Sequence, residues 1–137
     1  MIEIIDKQIN IQDVLKSVYD PSAGGIDVFI GTTRNHANGK QVLSLEYEAY
    51  QPMAIKVLQH IAEESETRWG LRKISIVHRI GRVAIGEASV VVAASSVHRK
   101  EAFEACRYAI DTLKKEAPIW KKEYFADGEI WVGSQEH

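Results

Sequence analysis

The sequence predicts an α+β fold: one domain, residues 1–137, of mostly antiparallel sheet with packed helices. Three observations carry this. Segments of helical and of strand periodicity interleave along the chain. Ala88 to Ser95 reads as an apolar strand, unbroken from Val90 to Ala94, the pattern of a strand buried on both faces. Ile119 to Phe125 and Glu129 to Val132 pair as a hairpin across Ala126-Asp127-Gly128. A chain of 137 residues is the size of one domain. It can bury roughly two thirds of its unfolded surface, enough for a core without disulfides.

Each element follows from its residues. Ile2 to Ile5 is a short first strand. Asn10 caps a helix in which Ile11, Val14, Leu15 and Val18 share one face. Asp20 to Gly25 is a turn cluster, and Ile26 to Ile30 is a strand ended by Gly31. Asn35 to Lys40 is a second loop. From Val42 to Tyr50 the residues alternate, with Leu43, Leu45, Tyr47 and Ala49 on one side. Pro52 opens a helix that runs to about Trp69, with Gly70 as its stop. Leu71 to Ile80 is a strand. Gly81 and Gly86 mark a strand-turn-strand unit, with His78 half in the core. A helix from about Arg99 to Lys115 carries the stripe Phe103, Cys106, Ile110 and Leu113, and Pro118 forbids its continuation.

Composition removes several classes of function. Hydrophobic residues make up 45% and charged residues 26%, so disorder is excluded. The net charge of −2 argues against general affinity for nucleic acid or anionic membrane. The longest unbroken apolar run, Val90 to Ala94, is too short to span a bilayer. The first residues lack the basic start and apolar core of a signal peptide, and a soluble cytoplasmic protein is expected. Cys106 is the single cysteine and sits mid-stripe, the position of a small core residue rather than a nucleophile. The five histidines show no zinc-like spacing, so no metal is expected.

Three segments carry candidate chemistry. Lys114, Lys115, Lys121 and Lys122 crowd around Pro118 and Trp120. Lys114 ends a helix and Lys121 lies in the next strand, so the proline turn lets their ammonium groups converge. Neighbouring ammonium groups depress each other's pKa and also make a phosphate site. The same residues fit a solvated cationic patch beside a structural Trp-Pro corner. His98 and Arg99 open the last helix just after the most buried strand, where free amides favour an anion; a capping turn with exposed charges fits equally. Arg99 and Lys114 lie about four turns apart, so both reach one ligand only if it is extended or a second subunit closes the site. Gly31-Thr32-Thr33-Arg34 runs from a strand into a polar loop that offers hydroxyls and a guanidinium fork, or is simply a turn with a surface arginine. On the exposed face of the alternating strand, Glu46 and Glu48 are either paired carboxylates or plain surface residues.

Taken together the segments resemble the family of large, catalytic subunits of molybdopterin synthase over nearly the whole chain. The resemblance rests on Gly24-Gly25 leading to Phe29-Ile30-Gly31-Thr32-Thr33-Arg34, on Leu45-Glu46-Tyr47-Glu48-Ala49-Tyr50, and on His78-Arg79-Ile80-Gly81 with Gly86-Glu87. It continues in Val97-His98-Arg99 with Ala102-Phe103, and in Leu113-Lys114 followed by Glu116-Ala117-Pro118-Ile119-Trp120-Lys121-Lys122-Glu123.

The resemblance implies an enzyme that adds two sulfurs to cyclic pyranopterin monophosphate, forming the dithiolene of molybdopterin. It implies a small ubiquitin-like partner ending in a Gly-Gly thiocarboxylate, a central homodimer within a heterotetramer, no cofactor, and a hammerhead-like α/β subdomain. It makes Lys114 the essential acid/base lysine and Lys121 its support, with Lys122 and Glu123 beside it. Thr32, Thr33 and Arg34 match the substrate-binding loop, and His98 and Arg99 the pair for the phosphate and pterin region. The chain departs from the family in ending Gly133-Ser134-Gln135-Glu136-His137, with no Lys or Arg to complete a neighbouring site. The rival reading is a non-catalytic α+β module that binds a phosphorylated metabolite. A lone phosphoesterase is disfavoured, for want of metal-ligand spacing and of a Ser-His-Asp arrangement.

Overall fold

The structure is a computed structural model and describes residues 1–132. These form nine strands and three helices: β1 (Ile2–Ile5), α1 (Ile11–Ser17), β2 (Gly25–Thr32), β3 (His36–Ala37), β4 (Lys40–Ala49), α2 (Gln51–Trp69), β5 (Lys73–Arg79), β6 (Gly81–Ala84), β7 (Ala88–Ser96), α3 (Arg99–Glu116), β8 (Ile119–Phe125) and β9 (Gly128–Val132). One sheet has the order β1-β5-β7-β2; the other has the order β3-β4-β8-β9, with β6 also paired to β4. Every pairing is antiparallel except β1 with β5. The α+β architecture is the one expected.

Strand β7 is the centre of the molecule. All nine of its residues are buried, as its apolar run requires. Val90, Val92 and Ala94 join the larger core beneath α2 and α3, while Val91 and Ala93 join a smaller one with Val14 and Val18 beside α1. The period of two along the strand thus feeds two cores.

Local chemistry sets the boundaries. The Asn10 side chain accepts the Asp13 backbone N–H at 3.2 Å and caps α1. Gly70 ends α2 in the left-handed region at φ 58°. Ala117 is extended before Pro118 and closes α3. Among the described residues no helix is long and apolar enough to cross a membrane.

Four expectations are corrected. Gly31 does not end β2: the strand runs to Thr32, and a Cβ at position 31 would stand 2.7 Å from Val90 Cγ1. The loop of Asn35 to Lys40 contains the β3–β4 hairpin, since Asn38 and Gly39 take the positive φ values, 52° and 75°, of a tight turn. Leu43 is 50% exposed and Val42 is buried instead, because a register shift between Val42 and Ser44 turns the alternation over. Phe103 is 54% exposed; Ala102, Ala105 and Ala109 line the buried face of α3 with Cys106, Ile110 and Leu113.

Candidate active site

The sheets and α3 enclose a cleft of about 80 Å³. Its rim is charged: Arg34 follows β2, Lys114 stands in the last turn of α3, and Lys121 and Glu123 project from β8. Thr32 and Gly31 border it from β2. Tyr47 of β4, His78 of β5 and Ser89 of β7 form the polar part of its wall.

The turn at Ala117-Pro118 builds this convergence. The Ala117 N–H donates to the Leu113 carbonyl at 3.0 Å, and the Pro118 carbonyl accepts the Tyr50 N–H at 3.1 Å. The chain is thereby folded from α3 into β8 against the start of α2. Period two along β8 then turns Ile119, Lys121 and Glu123 inward and Trp120, Lys122 and Tyr124 outward. Lys121 Nζ lies 3.9 Å from the Glu123 carboxylate, and both side chains are largely buried. Burial is the main cause that holds the Lys121 pKa below the ordinary lysine value; the Arg34 and Lys114 charges push the same way, and Glu123 opposes them. Tyr47 is pushed up, first by burial and then by the Glu123 charge, against a hydrogen bond with Ser89.

The structure brings Thr32, Arg34, Lys114, Lys121 and Glu123 together. It does not bring the other candidate residues to this cleft. Thr33 is buried beside it, and both its N–H and its hydroxyl donate to the Glu87 carbonyl, at 3.2 and 3.3 Å. Glu87 in turn accepts the Ala84 N–H at 2.8 Å and pairs with Arg79 at 3.2 Å. The β5–β6–β7 turns are therefore the frame on which the Arg34 loop hangs. Lys122 faces outward, 3.6 Å from Glu129 and 4.3 Å above the Trp131 ring. His98 caps α3 without a side-chain cap bond, and Arg99 starts that helix; both stand at the end of α3 remote from Lys114, roughly 22 Å away at the helical rise. The space there is tight: a Cβ on Gly25 would lie 2.9 Å from Arg99 Cα. Glu46 is also outside the cleft, accepting the Tyr124 hydroxyl at 2.6 Å. The C-terminal departure, residues 133–137, lies outside the described residues.

Three wall residues were not among the candidates. Tyr47 and Ser89 fall on strands read as packing surfaces, although the alternation that turns Glu46 and Glu48 outward also turns Tyr47 inward. His78, read as half in the core, is only 1% exposed. Its Nδ1 lies 2.8 Å from the Arg79 carbonyl, and its ring meets Tyr47 edge-on at 5.1 Å. A carbonyl only accepts, so Nδ1 carries the proton. Among the described residues no three His, Cys, Asp or Glu side chains gather as a metal site.

Fold and cleft define the class: an α+β protein with a lysine-lined cleft between two sheets and one long helix. Comparison with known proteins narrows it. The family model described as MoaE protein matches residues 4–116. The molybdopterin synthase catalytic subunit of Bacillus subtilis is 50% identical over 133 residues, covering 97% of this chain and 85% of that one. The human protein of the same name is 43% identical over 136 residues, covering 99% and 72%. The crystal structure of molybdopterin synthase from Staphylococcus aureus superposes with a TM-score of 0.92 at 41% identity, covering 96% of each chain. The chain belongs to the MoaE protein family, enzymes of molybdenum cofactor biosynthesis whose relatives compared above are molybdopterin synthase catalytic subunits.

Proposed function

We propose that this chain, as one domain over residues 1–137, transfers sulfur from the C-terminal Gly-Gly thiocarboxylate of a small ubiquitin-like subunit to cyclic pyranopterin monophosphate. Two transfers build the dithiolene of molybdopterin; in each a C–S bond forms at the pterin, water then hydrolyses the acyl–sulfur bond, and the small subunit returns as a carboxylate. The observation that carries the reading is the convergence of Arg34, Lys114 and Lys121 on one cleft. A cyclic phosphate and a carboxylate-bearing tail are both anions, and three cations at one place suit them. Opening the phosphate-bearing ring requires a proton at the leaving oxygen, and a lysine ammonium in the cleft is a donor for it; Lys121, held below the ordinary lysine value chiefly by burial, gives up its proton more readily than an exposed lysine. Lys114 is assigned the acid/base and charge-stabilising work, Lys121 its support, and Glu123 the placing of Lys121. Thr32 and Arg34 hold the substrate.

His98 and Arg99 serve the same ligand from a second copy. They stand at the wrong end of α3 for their own cleft, so a homodimer, flanked by one small subunit at each end, is the arrangement that lets both groups act. The cytoplasm is the compartment that suits this biosynthetic step.

The test is reconstitution from this protein, a thiocarboxylated small subunit and the cyclic precursor, run beside Lys114→Ala. Dithiolene from the wild type, with a loss of at least about 100-fold in the variant, is expected. Product from both keeps the activity and removes Lys114 from its role. No product, with no partner bound, leaves the metabolite-binding module as the better reading.

A further inference from the structure

Arg34 is exposed and lies past the end of β2, so its chain neighbours decide where its guanidinium starts. Both neighbours are held. Thr33 is buried and gives its N–H and hydroxyl to the Glu87 carbonyl, and its own carbonyl accepts the Gly86 N–H at 3.0 Å. On the other side the Asn35 carbonyl accepts the Val42 N–H of β4 at 2.8 Å. Arg34 is thus suspended between the first sheet and the second. Thr33 meets Glu87 because of a bulge: Gly31 pairs with Val90 and Thr32 with Ala88, so Ser89 is an extra residue in β7 and the ladder is advanced by one. The turn that carries Glu87 is closed on itself. Gly86 takes a φ of 84°, the Glu87 N–H donates to the Ala84 carbonyl at 3.1 Å, and the Glu87 carboxylate accepts the Ala84 N–H at 2.8 Å. The same carboxylate oxygen accepts from Arg79 at 3.2 Å, and the second terminal nitrogen of Arg79 donates to the Arg82 carbonyl at 2.9 Å. The two side chains are 12% and 28% exposed, so this pair is shielded as a surface ion pair is not.

We propose that Glu87 is a positioning residue for the sulfur-transfer reaction: held by Arg79, its carboxylate braces the β6–β7 turn, and the backbone of that turn fixes Thr33 and hence the placement of Arg34 in the cleft. The inference rests on the reading of the cleft given above and adds to it a pair of residues that touch no substrate. A guanidinium binds an anion through N–H groups of fixed direction, so its grip depends on where its backbone stands. Arg34 holds the substrate before and during the reaction alike. Loosening it therefore weakens binding and leaves the chemical step nearly as fast, which reads out as a raised KM with kcat little changed.

Glu87→Gln keeps the shape of the side chain and an oxygen for the Ala84 N–H, and removes the charge that Arg79 holds. In the reconstituted assay it is expected to raise KM for the cyclic pterin about tenfold, with kcat within about twofold. In an Arg34→Ala background it is expected to add nothing, because both changes remove the same contact with substrate. Thr33→Val leaves the ion pair intact and removes one donor. It is expected to raise KM about threefold, and likewise to add nothing to Arg34→Ala. An unchanged KM in either folded variant, a loss confined to kcat, or KM increases that multiply with that of Arg34→Ala each overturn the proposal. A second measurement does not depend on turnover. Hydrogen exchange at the Thr33 and Gly86 amides is expected to quicken at least about tenfold in Glu87→Gln, with Val90 to Ala94 of β7 unchanged. Unmoved exchange at Thr33 overturns the proposal even if the wild type makes no product, whereas an inactive wild type with faster exchange at Thr33 in the variant overturns the sulfur-transfer reading and leaves the brace standing.

Discussion

The two ends of α3 carry the same kind of residue in different settings. At the C-terminal end, Lys114 is met by a second element: β8 folds back through Pro118 and places Lys121 and Glu123 beside it, and Arg34 arrives from the end of β2. At the N-terminal end, His98 and Arg99 lie over the start of β2, on exposed surface. Cationic residues become a site where the chain converges on them and stay a surface where it does not. Within one copy, then, α3 has one site end and one surface end. The question the comparison raises is whether the surface end is idle or belongs to the cleft of a neighbour.

Subunit mixing breaks or upholds that comparison with the largest effect. Lys114→Ala and Arg99→Ala are each expected to be nearly inactive as homodimers. In a co-expressed equal mixture half of the dimers are mixed, and each mixed dimer has one cleft with its own Lys114 and its partner's Arg99 intact. Activity should return to about a quarter of the wild-type value. If each cleft used its own chain's Arg99, every cleft would carry a lesion and nothing would return. The readout is dithiolene formed per dimer after purification of the mixture.

A smaller effect sharpens the chemistry at the site end. Lys121 titrates below its ordinary value of 10.5, chiefly through burial, with Arg34 and Lys114 adding repulsion. The folded chain therefore gives up this proton before the unfolded chain does. Between the folded value and 10.5 the unfolded state binds more protons, so stability rises with pH across that window, and the charged lysine costs stability below it. Lys114→Ala removes one like charge and should raise the Lys121 pKa in an NMR titration. Arg99→Ala removes a charge that the proposed dimer places in the neighbour's cleft, so in the dimer it should raise the Lys121 pKa as well. No shift from Arg99→Ala would keep the far end of α3 out of every cleft.

How far this was legible from the sequence differs by feature. The convergence of Lys114 and Lys121 was legible, because Pro118 must end a helix and the next residues alternate as a strand. The distance of Arg99 from Lys114 was legible too, because helix length follows from residue number. Thr33 and Lys122 were misplaced because they adjoin true cleft residues, and adjacent strand positions face opposite ways. The exposure of Phe103 was hidden because periodicity marks a stripe without saying how far along it a neighbour extends. The burial of Val42 in place of Leu43 depended on a bulge that alternation alone does not signal. Tyr47, His78 and Ser89 come from three strands in two sheets, and how those sheets pack on each other is written in no local pattern.

The smallest expected effect lies between the two ends of α3, at Cys106. This residue decides whether the enzyme's own thiol takes part in sulfur chemistry. Its Sγ lies 3.5 Å from the Val92 carbonyl in the core. Burial, with the Asp27 charge adding to it, pushes its pKa up to about 12. A thiol so placed is almost wholly protonated at neutral pH, and the thiolate is the nucleophile. Cys106→Ala should therefore leave turnover per folded molecule within about twofold, and cost roughly 1 kcal/mol of stability for the small cavity it opens beside Val92. A thiol reagent should label the wild type only as fast as the fold opens. Rapid labelling of the folded protein, or a turnover loss larger than the stability loss explains, would make Cys106 a participant. Slow labelling and preserved turnover would leave the sulfur to arrive entirely on the partner, at the Lys114 end of the helix.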